Sequence, residues 1–187
     1  MAETFGTVID LDHLNESWFE RVKIRRLQPS DLPALEWGGE FVHFRRLYAE
    51  VYERMRSGLA LMWVADLSGE GIIGQAFVQF HASRPELADG RKRAYLHSFR
   101  VRPAYRGAGL GSRIMQVIEN DLCRRGYKTV TLNVSRTNQR ALRLYQRLNY
   151  LIVSKDPGRW SYVDHNGNLC QVNEPGWRMQ KILGEAG

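Results

Sequence analysis

Apolar residues recur along this chain with two different periods, and the switches between them set out the order of its elements. The segment Val22-Lys23-Ile24-Arg25-Arg26-Leu27 alternates as a strand does. Ser30 and Asp31 can cap a first short helix, with Pro33 tolerated in its opening turn. From Phe41 to Arg56 the period lengthens: Phe44, Leu47, Tyr48, Val51 and Met55 recur at helical spacing, and Gly58 stops the pattern. The runs Leu59–Leu67 and Gly71–Phe80 read as a hairpin around Ser68-Gly69-Glu70. A polar loop through Gly90 leads to a strand over Ala94–Val101. Leu110, Ile114, Ile118 and Leu122 mark a helix from about Ala108 to Arg125, closed by Gly126. Thr129–Val134 is β-branched and strand-like, a helix opens at Asn138, and Tyr150–Ser154 and Trp177–Leu183 supply the last two strands. Helices alternating with strands in this order predict an α/β fold around a mixed sheet. Residues 1–20 form a short arm of uncertain order, and no repeat or second domain is visible.

The chemistry concentrates where a strand feeds a helix through Arg106-Gly107-Ala108-Gly109-Leu110-Gly111. A glycine-rich turn opening a helix leaves backbone N–H groups unpaired beside the positive end of the helix dipole, which suits phosphate. Arg106 adds a guanidinium that can fork onto phosphate oxygens. A dinucleotide fingerprint would need glycine at positions 107, 109 and 112, and position 112 is Ser112. A loop ending in Gly-Lys-Ser/Thr is also absent.

Arg106-x-x-Gly109-x-Gly111 after Val101-Arg102-Pro103 resembles the acyl-CoA signature of the GNAT superfamily of N-acetyltransferases. The segment from Asn138 through Ala141, Leu144 and Tyr145 to Asn149-Tyr150 resembles that superfamily's second motif, in the right order and at the right separation. Asn149 stands where the motif has glycine, and asparagine also tolerates a left-handed helix end. The resemblance spans residues 22–183 and implies a single domain over 21–187, a mixed, mostly antiparallel sheet with helices on both faces. It further implies acetyl-CoA as acyl donor and transfer to an amine on a peptide N-terminus, a lysine or a small molecule, with a homodimer as an option. By this resemblance Phe99, Val101, Arg106, Gly107, Ala108, Gly109, Leu110, Gly111, Ser112, Asn138 and Ala141 would hold the cofactor. Asn138, Ala141 and Tyr145 lie at i, i+3 and i+7, one face of a helix. A non-catalytic acyl-CoA sensor of the same fold is the alternative.

Composition narrows the picture without changing it. The 187 residues carry 43% hydrophobic and 25% charged side chains, ordinary for a globular domain. The net charge of +7 would steer a polyanion such as acyl-CoA. Lys and Arg are scattered, so nucleic acid is not the expected partner. No run approaches the ~20 apolar residues of a membrane span, and the first residues lack signal-peptide regions. Two cysteines, Cys123 and Cys170, fit neither a disulfide framework nor a metal site, and a cytoplasmic home is expected.

The mechanism implied is direct attack of the amine on the thioester, with Tyr145 protonating the departing thiolate. A phenol near pKa ~10 and a thiol near ~8.5 differ by only about 2 kcal/mol. The general base is less evident. Relatives of histone type carry glutamate at the position of Tyr95, and those resembling the ribosomal-alanine type carry it at Asn133. Arylalkylamine enzymes place histidines on the strand, which makes His97 the candidate here. Without a carboxylate a low-pKa amine is favoured, because freeing a lysine amine at neutral pH costs about 4 kcal/mol and an α-amine about 1 kcal/mol. The connection from Lys155 to Gly176 is long for a hairpin and rich in Trp160, Tyr162, Asp164, His165 and Glu174. In folds of this kind such a segment borders the acceptor pocket.

Overall fold

A computed structural model describes residues 17–184. The expected arm at residues 1–20 therefore lies mostly outside the described residues; its last part forms a single helical turn, α1 (Trp18–Arg21). Nine strands follow: β1 (Val22–Arg26), β2 (Ala60–Leu67), β3 (Gly71–Gln79), β4 (Arg93–Val101), β5 (Thr129–Ser135), β6 (Leu151–Asp156), β7 (Arg159–Val163), β8 (Leu169–Asn173) and β9 (Gly176–Ile182). Three longer helices interleave, α2 (Arg45–Arg56), α3 (Leu110–Arg124) and α4 (Gln139–Arg147). Seven strands form one sheet in the order β1-β2-β3-β4-β5-β9-β6, and β7 pairs with β8 in a separate ribbon. Every pair in the large sheet is antiparallel except β4 with β5.

Both sheet faces are covered, which explains why β2 reads as a continuous apolar run rather than an alternation. Its residues Leu61, Trp63, Ala65 and Leu67 join α3 and α4 in one core, built around Leu110, Ile114, Met115, Ile118 and Leu122. Ala60, Met62 and Val64 point the other way, into a second core with Leu35, Tyr48, Val51 and Phe77 beneath α2.

Two expected boundaries move for identifiable reasons. Ser30 and Asp31 do not cap an α-helix. Pro29–Gly39 winds as 3₁₀ turns, interrupted by left-handed Trp37 and Gly38. Asp31 sits three residues inside and accepts from the Gln28 N–H at 2.7 Å while binding Arg25 at 2.7 and 2.9 Å. The amphipathic helix starts at Arg45 rather than Phe41, because Val42–Phe44 forms a separate 3₁₀ turn.

The long connection between β6 and β9 holds the largest departure. It is an ordered β7–β8 ribbon closed by Asp164, whose Oδ1 accepts the N–H groups of Asn166 at 2.9 Å and Asn168 at 2.8 Å. Gly158 at its base has φ +65°, and a Cβ there would collide with the Glu174 carbonyl oxygen. The two sides of the ribbon meet at that glycine, tied by a 3.0 Å bond from the Glu174 N–H to the Gly158 carbonyl.

Candidate active site

The site begins with a fault in the sheet. β4 and β5 pair in parallel only from Arg93/Thr129 to Leu96/Leu132, and beyond that they separate. On its other side β4 carries one extra residue, for Gln75 opposes Arg100 while Phe77 opposes His97. Ser98 takes up this bulge at φ +52°, with its carbonyl facing the fully buried Gln75 Nε2 at 3.4 Å. Arg102 donates to the Ile73 carbonyl on β3 at 2.8 Å. By strand alternation the amides of Phe99 and Val101 therefore face the gap left by β5.

That gap opens into a cleft of about 800 Å³ between β4, β5, α3 and α4. His97, Phe99, Val101, Arg106, Gly107, Gly109, Gly111, Ser112, Asn138, Ala141 and Tyr145 all line it, as the sequence places them. Ala108 and Leu110 do not. Ala108 is exposed on the outer side of the turn, and Leu110 is 1% exposed in the core. Each contributes backbone at most, because the turn aims alternate residues away from the cleft.

One end of the cleft is made of main chain. Gly107 and Gly109 sit at φ +89° and +90°, conformations that bring the turn directly onto α3. The first bond inside that helix runs from the Arg113 N–H to the Gly109 carbonyl at 3.0 Å. The amides of Leu110, Gly111 and Ser112 are thus the orphan donors of the helix start. Arg106 is less free than its charge suggests, since its Nε donates to the Val101 carbonyl at 2.6 Å and clamps the turn. Only its terminal nitrogens remain for an anion. Three arginines of α4 absent from the sequence-based expectation, Arg140, Arg143 and Arg147, also line the cleft, with Arg140 beside Gly107. Their i, i+3, i+7 spacing was the available signal.

Tyr145 stands where β4 and β5 part. Its side chain is 5% exposed, with the Phe99 ring 6.3 Å and the Tyr150 ring 5.8 Å away. Tyr150 donates its hydroxyl to Glu119 at 2.9 Å, whereas among the described residues the Tyr145 hydroxyl has no hydrogen-bond partner. Burial, with Tyr95 nearby, raises the Tyr145 pKa well above the ordinary phenol value, so the group is a held proton. Asn138 serves first as the cap of α4, its Oδ1 accepting the Ala141 N–H at 3.1 Å. Asn149 has φ +66° at the far end of that helix, the left-handed conformation expected of it.

Beyond Tyr145 the walls become side chains. Tyr95 and His97 stack at 5.5 Å, as their shared strand face requires, and burial pushes Tyr95 up to about 12. His97 is pushed down to about 4, first by burial and then by Arg54 and Arg100. It is neutral at physiological pH and a weak base. Asn133 Oδ1 is buried without a partner, and Glu174 is the one carboxylate lining the cleft among the described residues. Past them Phe44 packs against Tyr162 at 4.8 Å and Trp160 at 6.2 Å, pinning the β7–β8 ribbon to the start of α2.

Orphan amide donors at one end, an orphan acceptor at Asn133 and a basic rim fit a long, thin, amide-bearing polyanion such as acetyl-CoA. The likeness to known proteins points the same way. The chain is 28% identical to a mycothiol acetyltransferase of Propionibacterium freudenreichii over 120 residues, 63% of this chain and 38% of that protein. It therefore spans well under half the length of that relative. Among solved structures, Ard1 from Thermoplasma volcanium superposes with a TM-score of 0.68 at 17% identity, covering 88% of this chain and 99% of that one. The ribosomal-protein-S18-alanine N-acetyltransferase from Escherichia coli superposes at 0.65 with 21% identity, covering 89% and 96%. At these identities the superpositions establish the fold. Residues 22–150 match the acetyltransferase (GNAT) family, and the chain belongs to it.

Proposed function

We propose that this protein moves an acetyl group from acetyl-CoA directly to an amine, without an acyl-enzyme. The observation that carries the reading is the place of Tyr145, a protonated phenol with no hydrogen-bond partner among the described residues, lining the cleft where the sheet opens. Bound acetyl-CoA supplies an activated carbonyl and a thiolate leaving group. The amine nitrogen forms the new C–N bond as the C–S bond breaks. The free amides of Phe99 and Val101 stabilise the oxyanion that develops. Tyr145 gives its proton to the departing sulfur, and the proton released by the amine returns to the phenolate through solvent, which restores the acid for the next turnover. A raised phenol pKa makes that transfer harder, yet the thiolate is desolvated in the same place and its basicity rises with it.

His97 acts here as a neutral hydrogen-bond partner rather than as the base. With a pKa of about 4, taking a proton from an α-ammonium near ~8 would cost about 5 kcal/mol. Freeing the same amine to water at pH 7 costs about 1 kcal/mol. The reading therefore favours a low-pKa amine that enters already neutral. A reducing, cytoplasmic setting completes the proposal, supported by unpaired thiols at Cys123 and Cys170. No helix among the described residues is long and apolar enough to cross a membrane.

The test is Tyr145→Phe. Turnover falls at least about tenfold, a floor set below the roughly 10²- to 10⁴-fold that general-acid catalysis contributes, while acetyl-CoA affinity holds. Wild-type turnover by that variant would remove Tyr145 from the mechanism.

A further inference from the structure

The acceptor end of the cleft contains an arginine with no carboxylate partner among the described residues. Arg100 lines the cleft, half-buried, with its guanidinium 4.2 Å above the Phe41 ring and 5.0 Å from the Phe44 ring. Its Nη1 donates to the Tyr48 hydroxyl at 2.8 Å. Among the described residues no carboxylate comes within 4.0 Å of it. Of the other partly buried arginines, Arg25 pairs with Asp31 and Asp66, Arg26 with Asp121, Arg84 with Asp156 and Arg178 with Glu86, while Arg54, Arg93, Arg102 and Arg113 also lack a carboxylate partner among the described residues. Arg100 is the one of this group that lines the cleft. A guanidinium seated over rings by its carbon still has edge N–H donors to give, and a carboxylate meets such an edge two oxygens at a time.

The surroundings do not cancel this charge. Arg54 lies close enough to act on His97 together with Arg100. Its Nη2 donates to the His81 carbonyl at 3.0 Å, and its Nε is buried without a partner. The nearby carboxylates are already engaged, Asp156 by Arg84 at 2.7 Å and Glu36 by Arg45 at 2.6 Å. Among the described residues Glu174 is the one carboxylate that lines the cleft together with Arg100.

We infer that the acceptor is an amine whose molecule also bears a carboxylate, and that Arg100 is the specificity residue that binds it. The inference rests on the acyl-transfer reading given above and names the acceptor class for that site. Glu174 offers a partner to the amine, and Arg100 fixes the anion on the opposite wall. The same positive end disfavours polyamines, whose remaining cations would meet Arg100.

Two sources of this chemistry exist: an acidic side chain at a peptide N-terminus, which keeps the low-pKa amine favoured above, and the α-carboxylate of a free amino acid, which holds its own amine at a higher pKa. Thiol release from acetyl-CoA is measured with matched pairs for each: amino acids against their amides, and C-terminally amidated peptides beginning with Asp or Glu against those beginning with Asn or Gln. A third arm uses spermidine. The proposal expects the carboxylate member of at least one pair to show more than tenfold higher kcat/KM, chiefly through KM, and spermidine to be poor. In Arg100→Met that preference ratio collapses towards one, and in Arg100→Lys part of it survives. Equal use of both members by the wild-type protein, a preference for spermidine, or an unchanged ratio in Arg100→Met overturns the inference and leaves acyl transfer standing. Absence of thiol release with every amine overturns both.

Discussion

The two ends of the cleft are made of different material. At the end assigned to the cofactor the ligand would meet main chain: amides of Phe99, Val101, Leu110, Gly111 and Ser112, presented by a bulge and by a helix start. At the acceptor end it would meet side chains from three separate segments, with Phe44 before α2, Arg100 on β4, and Tyr162 and Glu174 in the connection between β6 and β9. Main-chain donors cannot be changed by substitution except through the φ/ψ values that aim them. Side-chain walls can be rebuilt one residue at a time. A fold that keeps one donor and varies its acceptors would divide the work in this way.

Substitutions separate the ends most sharply where backbone geometry is at stake. Gly109→Val forces a β-branched residue to φ +90°, a strain of about 1–3 kcal/mol. Acetyl-CoA binding then weakens by roughly 10- to 100-fold, as calorimetry would show, with secondary structure retained. Replacing Arg140, Arg143 and Arg147 together by Ala costs about tenfold in acetyl-CoA affinity at low salt, and the difference fades in ~0.5 M salt because these charges are exposed. Trp160→Ala acts at the other end. It removes a ring packed on Phe44 and raises the acceptor KM about threefold, with acetyl-CoA affinity unmoved.

The smallest kinetic effect concerns pH. With His97 at about 4, kcat/KM shows no inflection near ~6.5 and follows the acceptor amine upward. Stability carries the complementary signature. A histidine whose folded pKa lies below its unfolded value of ~6.5 stabilises the fold fully above that pH. The contribution is lost as pH falls from about 6.5 towards 4, by at most about 3 kcal/mol since the ring is only partly enclosed. Denaturant melts of wild type and His97→Gln across that range would show the slope in the first and its reduction in the second.

The same contrast governs what the sequence discloses. Gly107, Gly109 and Asn149 each report a left-handed backbone, so the cofactor turn and the end of α4 are legible from residue type alone. Helical spacing places Tyr145, and the hydrophobic periods place all seven strands of the large sheet and α2, α3 and α4, apart from a few residues at their ends. Ser98 gives no such signal, because serine has no preference for φ +52° and the bulge is set by the β3 register. The β7–β8 ribbon escapes because its strands are five residues each and largely exposed, although Asn166-Gly167 between alternating segments was a usable turn mark. Arg100 reads as one more surface arginine. Its role emerges only when Phe41, Phe44 and Tyr48, some fifty residues earlier, fold against it.

Release of the CoA thiol measures acyl transfer directly. With acetyl-CoA and pooled α-amines, lysine peptides, polyamines, aminoglycosides and arylalkylamines, the account predicts thiol release with an α-amine pool that contains carboxylate-bearing members, and its loss in Tyr145→Phe. No release from any pool, with no rise in melting temperature on adding acetyl-CoA, would contradict the assignment of the Arg106–Gly111 turn and of the cleft it serves.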